Sequence, residues 1–176
     1  MGFWKAYFRE KKAATAVEFS LVALPLIYLL IGILEISLFF ATSSVIHGAS
    51  SQAARLIKTG QLQQGGGDAE QIFSDALCAN ADFMVRCGDI RFEVVPLSDG
   101  FSSFADMPAE YDSDGNFTPR PFDAGGVNDV IMVRSVYPYH FVTPLLSVFM
   151  TGARNSVKTI MATVIFQTEP YDFSDS

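Results

Sequence analysis

The sequence predicts an α+β protein: a long N-terminal transmembrane helix extends into a small outer domain with a short helix and a three-stranded antiparallel sheet. Three observations predict it. The 23 residues from Phe19 to Ala41 carry a single charge, Glu35, and at 1.5 Å per residue they span roughly 35 Å, enough for a hydrocarbon core of about 30 Å. Beyond that run, apolar residues recur at three- and four-residue steps to about Thr59, the period of a helix. Three later stretches are rich in β-branched and aromatic residues, as strands are. A length of 176 residues, 49% of them hydrophobic, suits one modest domain beside the helix.

The formal net charge of -7 hides an asymmetry. Lys5, Arg9, Lys11 and Lys12 all precede the apolar run; setting aside these four bases and Glu10 leaves 18 acids against 8 bases from Ala14 onward. So acidic a body argues against nucleic acid or an anionic lipid surface as the partner of the main domain. Basic residues close to a span stay cytoplasmic, which places the body of the chain outside the cytoplasm. The rival is a removed secretory signal peptide, whose apolar region of about 7 to 15 residues ends at a small-x-small cleavage site. The run here is longer, and the segment after it keeps helical character. Pro25 lies inside the run, where its missing N–H and its ring predict a kink or a local disturbance.

Past the membrane-length stretch, Val45, Ile46, Ala49, Ala53, Leu56 and Ile57 continue the helical pattern. Gly60 is the expected stop, with Arg55 and Lys58 placed to suit the negative end of the helix dipole. Gly48, Ala49, Ser50, Ser51, Ala53 and Ala54 leave room for close approach, either by a neighbouring helix or by the chain's own globular domain. Residues 61–67 then read as a Gly-rich joint, and residues 68–176 as the outer domain. In "DAEQIFSDALCANADFM", Asp68 is a candidate N-cap with Gln71 three residues on, and Ile72, Phe73, Ala76 and Leu77 outline a short amphipathic helix.

Cys78 and Cys87 are the only cysteines. Outside the cytoplasm, two cysteines around a short loop are most simply a disulfide. A zinc site would need further ligands, and His47 and His140 sit on different elements. "DIRFEVVPL" alternates Ile90, Phe92 and Val94 with Arg91 and Glu93, the period of a half-buried strand. Two more strands are expected from about Asp129 to Phe141 and from about Val157 to Thr168. Between the first and second lies a long loop, 98–126, whose Phe101, Phe104, Phe117 and Phe122 either pack back on the domain or form a contact surface. Within it "EYDSDGNF" has the look of a calcium loop, with Asp112 and Asp114 in register when Glu110 takes the first position. Pro121 then falls where a bidentate glutamate is needed, and the alternative is an Asx-type turn. No Gly-x-Ser-x-Gly, His-Glu-x-x-His or phosphate-loop pattern is present, so neither catalysis nor a cofactor is expected.

Glu18 is the remaining puzzle, because a carboxylate at the start of an apolar span costs free energy unless it is neutralised or paired. The order of a basic segment, then "AATAVEF", then an apolar run resembles the processing site of type IV prepilins. There, a membrane-embedded prepilin peptidase removes a basic cytoplasmic leader and leaves glutamate as the fifth residue of the mature chain. The resemblance implies a leader of residues 1–13, a cut between Ala13 and Ala14, and a pilin-like helix over residues 14–60. It departs from the family's pattern at Ala13, where Gly is usual. A new α-ammonium on Ala14 would lie four residues from Glu18, so that Glu18 of one subunit could neutralise its own or a neighbour's amine and fix register in an apolar bundle.

With "AATAVEFSLVALPLIYLLIGILE", "AARLIKTG", "RSVYPYHFVTPLL" and "FQTEPY" taken together, the chain resembles the TadE-like minor pseudopilins of tight-adherence, or Flp, pili. The resemblance implies a single-pass bacterial inner-membrane protein with its N-terminus cytoplasmic and a periplasmic domain. Its expected partners are the major pilin, other minor pseudopilins, the prepilin peptidase, the inner-membrane assembly platform and membrane lipid. Phe19, Pro25 and Glu35 would belong to the assembly helix. The expected role is initiation or capping of a pilus that serves surface attachment and biofilm formation. The alternative is a membrane-anchored periplasmic scaffold or binding module that is not processed as a pilin.

Overall fold

In the computed structural model, which describes residues 11–64, 66–151 and 157–170, helix α1 runs from Lys11 to Lys58 with Pro25 inside it. The expected leader therefore lies outside the described residues up to position 10, as do Gly65 of the glycine joint and Tyr171 of the last motif. The chain divides into two units, one made of residues 1–38 and 141–156, the other of residues 39–140 and 157–176.

The first unit holds the membrane-length part of α1 together with α4, Pro144–Thr151. From residue 15 onward α1 is long and apolar enough to cross a membrane. Its large side chains face outward on all sides, with Phe19, Leu21, Leu24 and Leu34 among the most exposed, the distribution expected of a helix whose solvent is lipid. Ser20 and Ser37 satisfy their hydroxyls within the helix, donating at 2.8 Å to the carbonyls of Ala16 and Ile33, so neither needs water.

In the second unit, α1 ends at Lys58 and Gly60 takes a left-handed φ of 72°, the conformation that favours glycine at a helix stop. The orphan carbonyl of Lys58 accepts from the Glu169 N–H at 2.9 Å, so the extended segment around Thr168 and Glu169 closes the helix terminus. A single helical turn, α2 (Gln61–Gln64), occupies the start of the expected joint, and α3 spans Ala69–Ala81. Asp68 caps α3 by accepting from the Glu70 and Gln71 N–H groups.

The sheet has strands β1 (Arg91–Pro96), β2 (Val130–His140) and β3 (Val157–Gln167) in the order β1-β2-β3, antiparallel throughout. Ile46, Ala49, Ala53 and Ile57 of α1 share one core with Phe73 and Leu77 of α3 and with Val94, Ile131, Val133, Ile160 and Ala162 of the sheet. The small residues of α1 are thus used inside the domain: Ala49, Ala53 and Ala54 are buried, and Ser50 donates to the Ser135 hydroxyl of β2 at 2.8 Å. Gly48 and Ser51 stay exposed. Phe73 is fully buried against Phe92 and Phe122, with ring centroids 5.1 and 5.9 Å away.

The structure corrects the half-buried strand. Glu93 and Arg134, directly opposite each other in the register, are only 1% and 2% exposed. Their face of the sheet is closed because loop 98–126 folds over it: Met107 packs beside Val95, Leu97, Val130 and Met132, and its carbonyl accepts from Arg134. A 3-10 segment, Gly100–Asp106, forms part of this cover. Its phenylalanines divide, since Phe117 and Phe122 pack inward while Phe101 and Phe104 remain exposed.

Cys78 of α3 and Cys87 form a disulfide with a Cα–Cα distance of 5.5 Å, which clamps the descent from α3 to β1. Replacing both by Ser should destabilise the domain by about 2 to 3 kcal/mol, the chain-entropy value for a loop this short. Denaturant unfolding of the full-length chain in detergent, compared with the parent, checks the figure.

Candidate functional site

At the N-terminal end, both Ala13 and Ala14 lie on α1, and Glu18 follows Ala14 by four residues, hence on the same helix face and about 6 Å further along the axis. Glu18 is exposed and makes no hydrogen bond or ion pair among the described residues. Phe19, 73% exposed, begins the apolar surface immediately after it. The structure therefore presents Glu18 outward, available to a charge on another turn or another chain.

Glu35 is different. It is 6% exposed although it lies within the apolar run. Its carboxyl group accepts from the backbone N–H of Val142 and from that of Thr143, the latter at 3.0 Å to Oε2 and 3.2 Å to Oε1. Thr143 is the residue before α4, and its carbonyl accepts the Ser147 N–H at 2.9 Å, the first bond of that helix. Pro144 then occupies the first helical position, where its lack of an N–H costs nothing. Glu35 thus ties the turn into α4 to α1. Along the same stretch of α1, Pro25 helps to wall an apolar cleft between α1 and α4.

Sequence reasoning did not assign a helix to the connection between β2 and β3. Eight residues give too few turns for a period to stand out, and "FVTPLL" reads as a strand running into a loop. It also missed Glu93, Arg120 and Arg134 as a set. Arg134 Nη1 meets Glu93 Oε1 at 2.5 Å, Arg120 Nη1 meets the same oxygen at 3.1 Å, and Arg120 Nη2 reaches Glu110 at 2.7 Å. Two opposite charges on facing strands were the available signal, but the register that pairs Glu93 with Arg134 depends on the fold.

In the candidate calcium loop, the Asp112 carboxylate accepts from the Asp114 N–H at 2.9 Å, the Asn116 N–H at 2.8 Å and the Asn116 side-chain amide. The Asn116 side chain, then its backbone N–H, hold the Asp112 carboxyl below the usual aspartate value. This is an Asx-type turn whose aspartate already has its donors within the loop. Gly115, with φ 82°, completes it. No three His, Cys, Asp or Glu side chains converge to hold a metal ion among the described residues. His47 and His140 are both exposed.

Residues 13–55 match the family of TadE-like proteins. The TadE-like segment begins at Ala13, contains Glu18, Pro25 and Glu35, and ends at Arg55, three residues before the end of α1. It thus coincides with the apolar helix on which Glu18 and Glu35 both stand. Neither the curated proteins nor the solved structures contain a match to the chain.

Proposed function

We propose that the chain is a minor pseudopilin that takes part in assembling a tight-adherence pilus, by initiating or capping the fibre. The supporting observation is the coincidence of the TadE-like segment, 13–55, with an apolar helix that carries an exposed Glu18, without an ion pair among the described residues, one turn beyond Ala14. On this reading a prepilin peptidase cuts between Ala13 and Ala14. The new amine of Ala14 then pairs with Glu18 of its own or an adjacent subunit inside the bundle of pilin helices.

The protein works by packing and not by catalysis. Its helix lies beside those of the major pilin and other minor pseudopilins in the inner membrane, against the assembly platform. The N-terminus faces the cytoplasm and the disulfide-bonded domain faces the periplasm, with surface attachment and biofilm formation as the outcome. Within one lipid-surrounded bundle an unpaired carboxylate is expensive, so the pair sets register as well as energy.

Glu18→Leu tests this in cells. Membrane insertion should be unchanged, because the substitution lengthens the apolar run, while pili recovered by shearing should fall to background. Normal piliation by this variant would rule out the pairing role.

A further inference from the structure

We propose that residues 141–151 form a second membrane-embedded element, an α4 that enters the bilayer beside α1, with a phospholipid acyl chain filling the cleft between the two helices. The inference rests on the reading of α1 as a membrane span.

The first observation is the depth of the cleft. It has a volume of about 670 Å³ and is lined by Pro25, Leu29, Ile33 and Ile36 of α1 and by Leu146 and Phe149 of α4, among others. All the α1 residues fall inside the Phe19–Ala41 run, so α4 lies at the level of the hydrocarbon and not beyond it. The second is composition: the segment from Phe141 to Ala153 has no charged residue. The third is exposure, since Val142 and Phe149 are 88% and 84% exposed, a poor arrangement in water and an ordinary one in lipid.

Glu35 supplies the fourth observation. Backbone amides in a bilayer must find partners within the protein. The turn before α4 has two such amides, on Val142 and Thr143, and both donate to Glu35. The same contact relieves the cost of a carboxyl group in the apolar run. Ser147, at 3% exposure, and Thr151, whose hydroxyl donates to the Ser147 carbonyl at 2.8 Å, keep the polar atoms of α4 inward. An acyl chain suits the cleft because the helix surface around it, from Leu26 to Leu34, is apolar apart from the Tyr28 hydroxyl and continuous with the outward-facing side of α1. A soluble ligand would need polar groups to fix its orientation.

The test uses the full chain in phosphatidylcholine vesicles. Cys78 and Cys87 are joined, so a single introduced cysteine takes an environment-sensitive fluorophore without competition. Labels at Phe149→Cys and Val148→Cys are compared with Ile27→Cys on α1 and Phe83→Cys on the outer domain. Phospholipid spin-labelled on its acyl chain should quench the two α4 labels at least twofold more than the Phe83 label, approaching the Ile27 label, and iodide in the water should spare them. If the α4 labels behave like Phe83 while Ile27 is quenched by lipid, the proposal is overturned and the span reading stands. If Ile27 is also spared by lipid, the span reading fails and takes the proposal with it. Shielding of the α4 labels from both quenchers, with disulfide cross-links between Phe149→Cys chains, would replace lipid by a second copy and likewise overturn it.

Discussion

Glu93→Ala is expected to lower the unfolding free energy by about 3 to 5 kcal/mol, the range for removing one partner of a buried ion pair. The reason is the state of what remains. Arg134 has a side chain only 3% exposed and loses the carboxylate that pairs with it among the described residues, while Arg120, at 20%, keeps Glu110. A buried guanidinium without a counter-charge then has the Met107 carbonyl as its main acceptor. Loop 98–126 should loosen with it, because Arg120 holds the loop to β1 through both its backbone N–H and its side chain. The double variant Glu93→Leu/Arg134→Met removes both charges and should recover most of the loss, since apolar replacements of similar volume are often neutral. Denaturant unfolding of the single and double variants measures this, and additive losses in the double variant would contradict it.

Glu35→Leu should release α4 from α1. Two backbone amides, those of Val142 and Thr143, would lose their acceptor, at about 1 to 3 kcal/mol for each one left buried and unpaired. The consequence is local, since the core around Ile46, Phe73 and Ile131 is built from other residues. Hydrogen exchange of the peptide covering residues 141–151 should accelerate at least tenfold, while that of β2 stays within a factor of two. Glu35→Gln keeps an acceptor oxygen and should retain much of the protection. Unchanged exchange in Glu35→Leu would show that packing alone holds α4.

How legible these features were depends on the range of the interactions that make them. The long helix, its stop at Gly60 and the Asp68 cap were readable because each depends on neighbours within a few residues. The three strands and the Cys78–Cys87 pair were also readable, from local composition and from a short loop. What escaped rests on long-range contacts. Glu93 alternates as an outward residue should, and only the cover formed by loop 98–126 turns that face into an interior. Glu35 looked like an isolated charge on an assembly helix until the chain returned, more than a hundred residues later, to place Val142 and Thr143 against it. The small stripe of α1 left two partners open, and the choice of the chain's own sheet was decided by the Ser50–Ser135 contact and the shared core. Of the candidate site itself, the position of Glu18 was plain from the sequence, and its outward presentation on α1 follows from the helix around it.

The central claim is that the TadE-like helix is processed as a pilin helix, and the mass of the mature protein tests it most directly. The protein is extracted from membranes of cells with and without their prepilin peptidase, and its intact mass is compared. The account predicts loss of residues 1–13 only where the peptidase is present, leaving Ala14 at the N-terminus four residues before Glu18. A mass retaining Lys11 and Lys12 in both strains would contradict it and leave an anchored periplasmic module, for which the helix is only a tether.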